Sequence, residues 1–292
     1  MIDTCGPLID RLLHINAAKL NKIIQSQAAE LEKRDNLPVS TGGKRYGLVK
    51  QKPDDRDFQF VSAAKSSIPA AVDLRTTGFV PPAMDQGQAG TCSAHAASSA
   101  LRFLIRKEKL QDFQPSRLFI YFTSRVYVEG VAPSEDTGCA LRDVVKALST
   151  YHVCNERYMP YSDTKIAEHP PALAVANARL HTTFMYRAVQ QSLSALKSAL
   201  ASGYPVIVGI QVYESFESDD VARTGNVPMP SDGEQCLGGH AVLCVGFQDK
   251  TQTFTLLNSW GQWGQNGFFT LPYDYLTNPD LAFDFWMITG FK

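Results

Sequence analysis

The chain lacks an excess of either charge. Its 28 Lys and Arg stand against 29 Asp and Glu, a formal net charge of −1. Nucleic-acid and membrane-surface binding draw on a basic excess, so the composition favours neither. No stretch has the ~18 consecutive apolar residues of a spanning helix. None of the six cysteines (Cys5, Cys92, Cys139, Cys154, Cys236, Cys244) forms a C-x-x-C pair. Their spacing suggests neither zinc nor a disulfide-knotted scaffold. There is no internal repeat and no glycine loop shaped for phosphate. The opening "MIDTCGPLIDRLLHINAAKLNKI" has early acids and no basic stretch before an unbroken apolar core. It does not read as a signal peptide, so the expected compartment is the reducing cytoplasm with mostly free thiols.

What is present fits an ordinary globular protein. The 292 residues suffice for one large domain or two modest lobes, and 44% are hydrophobic, enough for a substantial core. Residues 7–34 repeat apolar side chains at three- and four-residue spacing, the mark of an amphipathic helix. Arg34 to Phe60 is rich in Pro, Gly and charge and reads as a linker or as an extended strip lying on something else. A second start follows at Ser67. Beyond it helices come first: about Thr91–Lys107, a segment after Ser116, "LRDVVKALSTY", and "SLSALKSALASG" between Ser192 and Gly203. Strand-like runs follow: "YPVIVGIQVY", "HAVLCVGFQ", "TFTLLNSW" and "GFFTLPY". This order predicts an α+β protein with a helical lobe and a β lobe. The expected division is 1–66 as an N-terminal segment and 67–292 as the globular domain.

Three short segments carry chemistry. "QGQAGTC" puts Cys92 at a helix start, where the macrodipole and unpaired N–H groups favour thiolate. "LGGHAVLCVGF" places His240 just before a strand, and "LLNSWGQWGQNGFF" places Asn258 at a strand end. A thiol hydrolase needs a thiolate, an imidazole to exchange its proton, an amide oxygen to orient that ring and two donors for an oxyanion. The side chain of Gln86 and the backbone N–H of Cys92 are candidates for those donors. Trp260 is placed to keep water from the Asn–His bond.

With these residues in the order Gln86, Cys92, His240, Asn258-Ser259-Trp260-Gly261, the chain resembles the papain-like cysteine proteases, the cathepsin family. The likeness runs from about Ile68 to the C-terminus, and "NSWGQWGQNGFF" is its most specific part. It implies a two-lobe papain-like fold, a helical lobe and a β-barrel-like lobe with the cleft between. It also implies Cys92 as nucleophile, His240 as acid and base, Asn258 as orienter and Gln86 as oxyanion donor. Gly138, Gly239 and Trp260 would then line the substrate. The chain departs from the family's pattern at Ala89, where a cysteine and its disulfide are usual, and at Ser93, where a Trp walls the cleft. A single His95 in 93–135 argues against an exopeptidase occluding loop. The type is nearest to non-secreted bacterial or giant-virus members, with host cytoplasm or virion as the location for a viral chain.

The resemblance implies a cysteine endopeptidase acting on polypeptide. It needs no cofactor, metal, nucleic acid or membrane, and is expected as a monomer. Residues 1–66 then read as a propeptide, the chain's own intramolecular inhibitor, with Cys5 as an optional lock. The alternatives are a related Cys-His acyltransferase and an inactive binding module. Blander readings apply elsewhere. Cys244 reads as core, His95 as locally bonded, Glu214, Glu217, Asp219 and Asp220 as a solvated run, and Asp284 as an exposed turn acid.

Overall fold

The computed structural model describes residues 46–52, 54–60, 68–181 and 184–291, the side chain of Phe291 excepted. The helix expected over 7–34, and Cys5, lie outside them.

The helical part begins at Thr91. Helix α1, Cys92–Lys107, is buried at every position from Cys92 to Leu101. Ala94, Ala97, Leu101 and Leu104 share its apolar face, as the spacing predicts. Each fully buried Leu or Phe there contributes roughly 1.5–3 kcal/mol. Ser116 caps α2, Arg117–Phe122, by accepting from the Phe119 N–H. The segment after it does not stay α-helical. Thr123 and Ser124 hydroxyls bond back to the Phe119 and Ile120 carbonyls at 2.8 and 2.7 Å, and the chain widens into a π-helical turn over Thr123–Val128. That turn buries Arg125, whose guanidinium donates to the carbonyls of Ala132, Pro133, Glu135 and Ile166. It thereby anchors the loop leading to Gly138. Helix α3, Leu141–Tyr151, buries Leu141, Val144, Val145 and Leu148 in the expected register. A short α4, Ala172–Ala178, was not legible in the sequence pattern.

The β part is an antiparallel sheet. Its strands are β1 Ala71–Asp73, β2 Phe184–Ala188, β3 Val206–Tyr213, β4 Cys236–Gln248, β5 Thr253–Leu257, β6 Phe268–Pro272 and β7 Ala282–Phe291. They pair along an open path β2-β7-β3-β4-β5-β6, with β1 also on β4. Helix α5, Leu193–Ala201, is capped by Ser192 and lies against β3 and β4. Strand β4 is central and buried along its whole length except at its two ends, which is why its sequence is a near-continuous apolar run. The buried face of α1 packs on β4. The N-terminus of the helix, the start of β4 and the end of β5 therefore come together.

Candidate active site

Cys92 is the first residue of α1 and is fully buried. Thr91 precedes it, but its hydroxyl is turned to Tyr161 (2.7 Å) and does not cap the helix. The first-turn N–H groups are left to the thiol. Burial pushes that thiol up to about 11. Hydrogen bonds from the N–H groups of Ala241, Ser93 and Cys92 itself pull it down, and the Asp136 carboxylate adds to the rise. Ala241 follows His240 directly, so the sulfur lies against the His240 segment. Gln86 is also fully buried. Its Oε1 accepts from Ser259 Oγ at 2.6 Å, and its Nε2 donates one hydrogen to the Ala89 carbonyl at 2.9 Å. Its backbone N–H donates to the Ser259 carbonyl at 2.9 Å, and its own carbonyl accepts from Tyr161 Oη at 2.7 Å. The amide is thus held from both lobes.

On the β side, Leu243 of β4 pairs with Leu257 of β5, and that antiparallel ladder carries Asn258 back toward His240. Asn258 Oδ1 accepts from His240 Nε2 at 2.8 Å and from the Ser259 N–H at 2.8 Å. Two facing donors fix the amide with its oxygen inward and give His240 its hydrogen on Nε2. Trp260 stacks on the His240 ring at 4.9 Å with 29° between planes. His240, Asn258 and Trp260 are all at most 5% exposed, so water does not compete for the bond. Behind Trp260 sit Phe216 and Trp263, themselves stacked at 5.1 Å.

Residues 46–60 cross this cleft. The Tyr46 ring lies edge-on to His240 at 5.9 Å and its hydroxyl donates to Glu217. Gly47 passes Gly138 backbone to backbone: a Cβ on Gly47 would lie 2.8 Å from Gly138 Cα, and one on Gly138 would overlap the Gly47 carbonyl. On the other wall the Leu48 N–H donates to the Gly239 carbonyl at 3.1 Å, in a parallel bridge between Gly47 and Gly239. The Leu48 side chain sits over Gly209 beside Phe283. Further on, the Gln51 N–H donates to Asp284 at 2.7 Å. Arg142 of α3 takes the Lys52 carbonyl at 2.6 Å and forms an ion pair with Asp57 at 2.5 Å. Phe58 and Phe60 then bond to both sides of Ala188 and cover the edge of β2.

Several residues differ from the blander sequence readings. Asp284 is not an exposed turn acid: it is half-buried in β7 at φ 57°, and burial raises its carboxyl to about 7. Glu217 leaves the solvated acidic run to accept from Tyr46, whereas Glu214, Asp219 and Asp220 are exposed. His95 is locally bonded: Nδ1 faces the Thr91 carbonyl at 3.0 Å and Nε2 meets Arg117 at 3.1 Å. Burial, with the Arg117 charge, holds it down to about 3. Ser93 is wholly buried. The described cysteines are free thiols, with only Cys236 exposed. Among the described residues no group of His, Cys, Asp and Glu is arranged for a metal, and no helix is long and apolar enough to cross a membrane. Ser259 stood in the sequence only as part of the Asn-Ser-Trp-Gly motif, without a role of its own, and Tyr161, Tyr121 and Asp136 were not singled out, because their partners are distant in the chain and no local pattern marks them.

Comparison with known proteins identifies the family. The papain family cysteine protease profile matches residues 68–278. An uncharacterized peptidase C1-like protein of Acanthamoeba polyphaga mimivirus is 36% identical over 278 residues, covering 86% of this chain and 89% of the relative. Cathepsin K of Gallus gallus is 29% identical over 239 residues, covering 77% of this chain and 65% of the relative. The crystal structure of xylellain, a cysteine protease from Xylella fastidiosa, superposes with a TM-score of 0.78 at 33% identity, covering 86% of this chain and 97% of that one. On the profile and these identities, the chain belongs to the papain family of cysteine proteases, enzymes that hydrolyse peptide bonds.

Proposed function

We propose that this chain is a cysteine endopeptidase acting through Cys92, His240, Asn258 and Gln86, and that residues 1–66 act as its inhibitory propeptide. In this reading the Cys92 thiolate attacks the peptide carbonyl carbon, and the C=O π pair moves to oxygen. That oxyanion takes the second Nε2 hydrogen of Gln86 and the Cys92 N–H. As the intermediate collapses, the C–N bond breaks and the His240 imidazolium gives its proton to the leaving amine. Water then attacks the thioester and gives a proton to His240. Collapse releases the acid and restores the thiolate. Asn258 holds the imidazole with Nδ1 as the nitrogen that trades protons. Gly138, Gly239 and Trp260 line the substrate path.

The observation that carries the reading is the pair of anchored amides: Asn258 Oδ1 on His240 Nε2 at 2.8 Å beneath Trp260, and Gln86 held by Ser259 and Ala89 beside the turn of Cys92. The passage of residues 46–48 between Gly138 and Gly239 supports the inhibitory role, because substrate backbone has no room there while they stay.

The test is fluorogenic peptide turnover by the full chain before and after limited proteolysis near Ser67, with and without an amine acceptor. Turnover should rise on processing and be hydrolytic. Cys92→Ala should lose at least ~10³-fold in kcat with its fold intact. Residual turnover at the wild-type rate in that variant would remove Cys92 from the reaction, and amide transfer to the acceptor in preference to water would favour an acyltransferase.

A further inference from the structure

We propose that Asp136 is a positioning residue of this site, a single carboxylate that fixes the turn carrying Cys92 to the glycine wall at Gly138. The inference rests on Cys92 being the nucleophile. Among the described residues no disulfide tethers the turn: Cys92, Cys139 and Cys154 are thiols. Beside the bonds of Gln86 and Tyr161, the tie toward Gly138 is Asp136, whose two oxygens accept from the Gly90 N–H at 3.2 and 2.9 Å. The same carboxylate accepts from the Tyr121 hydroxyl. Tyr121 Oη in turn accepts from the Gly138 N–H at 3.0 Å. One anion therefore sets two positions at once: Gly90, two residues before the thiol, and Gly138, the residue that meets the backbone lying in the cleft.

The surroundings keep this arrangement rigid. The loop bearing Asp136 is tied at the Glu135 carbonyl by the buried Arg125. Tyr121 is wholly buried, and burial together with the Asp136 charge pushes its phenol well up, so it stays a donor. A Cβ on Gly90 would lie 3.1 Å from Asp136 Oδ1, so glycine there lets the carboxylate come close. Charge-assisted bonds of this kind are short and directional. A shift of about an ångström in a reacting group costs roughly 10²-fold in rate, so the clasp has leverage on chemistry it never touches.

The charge has a second effect that packing alone does not have. An anion beside the turn disfavours the Cys92 thiolate. The other titratable groups near it are Tyr121, Arg125, Cys139 and Cys92 on the helical side, and Tyr161 and Asp163 beyond the turn. Asp136 thereby raises the pH at which the Cys92 thiol ionises as well as setting its place.

The experiment compares Asp136→Asn, Asp136→Glu and Tyr121→Phe in the full chain. One arm follows iodoacetamide labelling of Cys92 against pH after proteolytic release, mapped by mass spectrometry. The other measures kcat and KM for a peptide after proteolytic release. Asp136→Asn keeps the shape and loses the charge. It should lower kcat by ~10-fold with KM changed less than about twofold, and move the labelling midpoint down by at least about half a pH unit. Asp136→Glu should restore the midpoint. Tyr121→Phe, which cuts the link to Gly138 and keeps the charge, should lower kcat without moving the midpoint. An unmoved midpoint in Asp136→Asn overturns the proposal, whether or not kcat falls, because only a structural role would then remain. Absence of wild-type peptide turnover would instead end the endopeptidase reading and leave the labelling arm to decide on Asp136.

Discussion

Along α1 every residue from Cys92 to Leu101 is buried, whereas in the described part of 46–60 only Tyr46, Gly47 and Leu48 are. The body of the enzyme brings its own core. The strip has none: Phe58 is 69% exposed, and what holds the segment is borrowed from the cleft. Its anchors are backbone bonds to Gly239 and Ala188, an ion pair to Arg142, a carboxylate at Asp284 and two side chains in existing pockets. A segment held this way is expected to open well below the free energy of global unfolding. The body and the strip are thus separable in principle, and each can be broken without the other.

The largest effect should come from breaking the body's chemistry while leaving the strip alone. Gln86 bonds to Ser259, Ala89 and Tyr161, and none of these hydrogen bonds reaches residues 46–60. Gln86→Ala in the processed enzyme should lower kcat by roughly 10²–10³ with little change in KM, the usual cost of one oxyanion donor. Its full-chain form should need the same protease exposure for release as the wild type. A loss confined to KM would make Gln86 a substrate contact instead.

A smaller effect should come from breaking the strip alone. Gly47 has no room for a side chain, with Gly138 Cα 2.8 Å and the Gly90 carbonyl 3.2 Å from where a Cβ would be. Overpacking of this kind costs ~1–3 kcal/mol, and ~1.4 kcal/mol is tenfold in an equilibrium. Gly47→Val should therefore raise the activity of the unprocessed chain by ~10-fold and leave that of the processed enzyme unchanged. If thermal unfolding of the body fell as steeply as the strip loosened, residues 46–48 would belong to the core and the comparison would collapse.

The sequence was most legible where local pattern and chemistry coincide. Helix α1 and α3 announce themselves by period, and β4 by its apolar run. The helix-first order foretold the α+β arrangement. Cys92, His240 and Asn258 stand out because each sits at an element boundary inside an unusual motif. Legibility failed where the cause is tertiary. Nothing local says that Asp136 faces Gly90, which is brought to it by the π-helical turn and Arg125. Asp284 reads as a surface acid because its partner Gln51 is far away in the chain and the left-handed kink it makes in β7 leaves no local mark. Tyr46 and Leu48 look like stray apolar residues in a charged linker until the pockets beside His240 and over Gly209 are known.

The finest test of the comparison uses Asp284, which stands on the line between strip and body. Its carboxyl is raised to about 7, chiefly by burial, against the pull of the Gln51 N–H and of Arg142 and Lys50. When the strip leaves, water reaches the carboxyl, and its pKa falls toward the ordinary carboxylate value of about 3.9. The protonated acid is then bound better by the covered state than by the open one. Closure therefore takes up a proton. The contribution of Asp284 to closure is fully present below the ordinary carboxylate range and is lost as pH rises through about 7. This residue opposes release by mild acid and favours it at neutral to weakly alkaline pH. The ratio of full-chain to processed activity should accordingly rise several-fold between about pH 5 and pH 8. Asp284→Asn, which keeps an acceptor for Gln51 and cannot ionise, should flatten that rise while the processed enzyme keeps its own pH profile. A ratio that instead falls over this range, or a slope unchanged in Asp284→Asn, would mean that the burial of Asp284 belongs to the body and is not supplied by the strip.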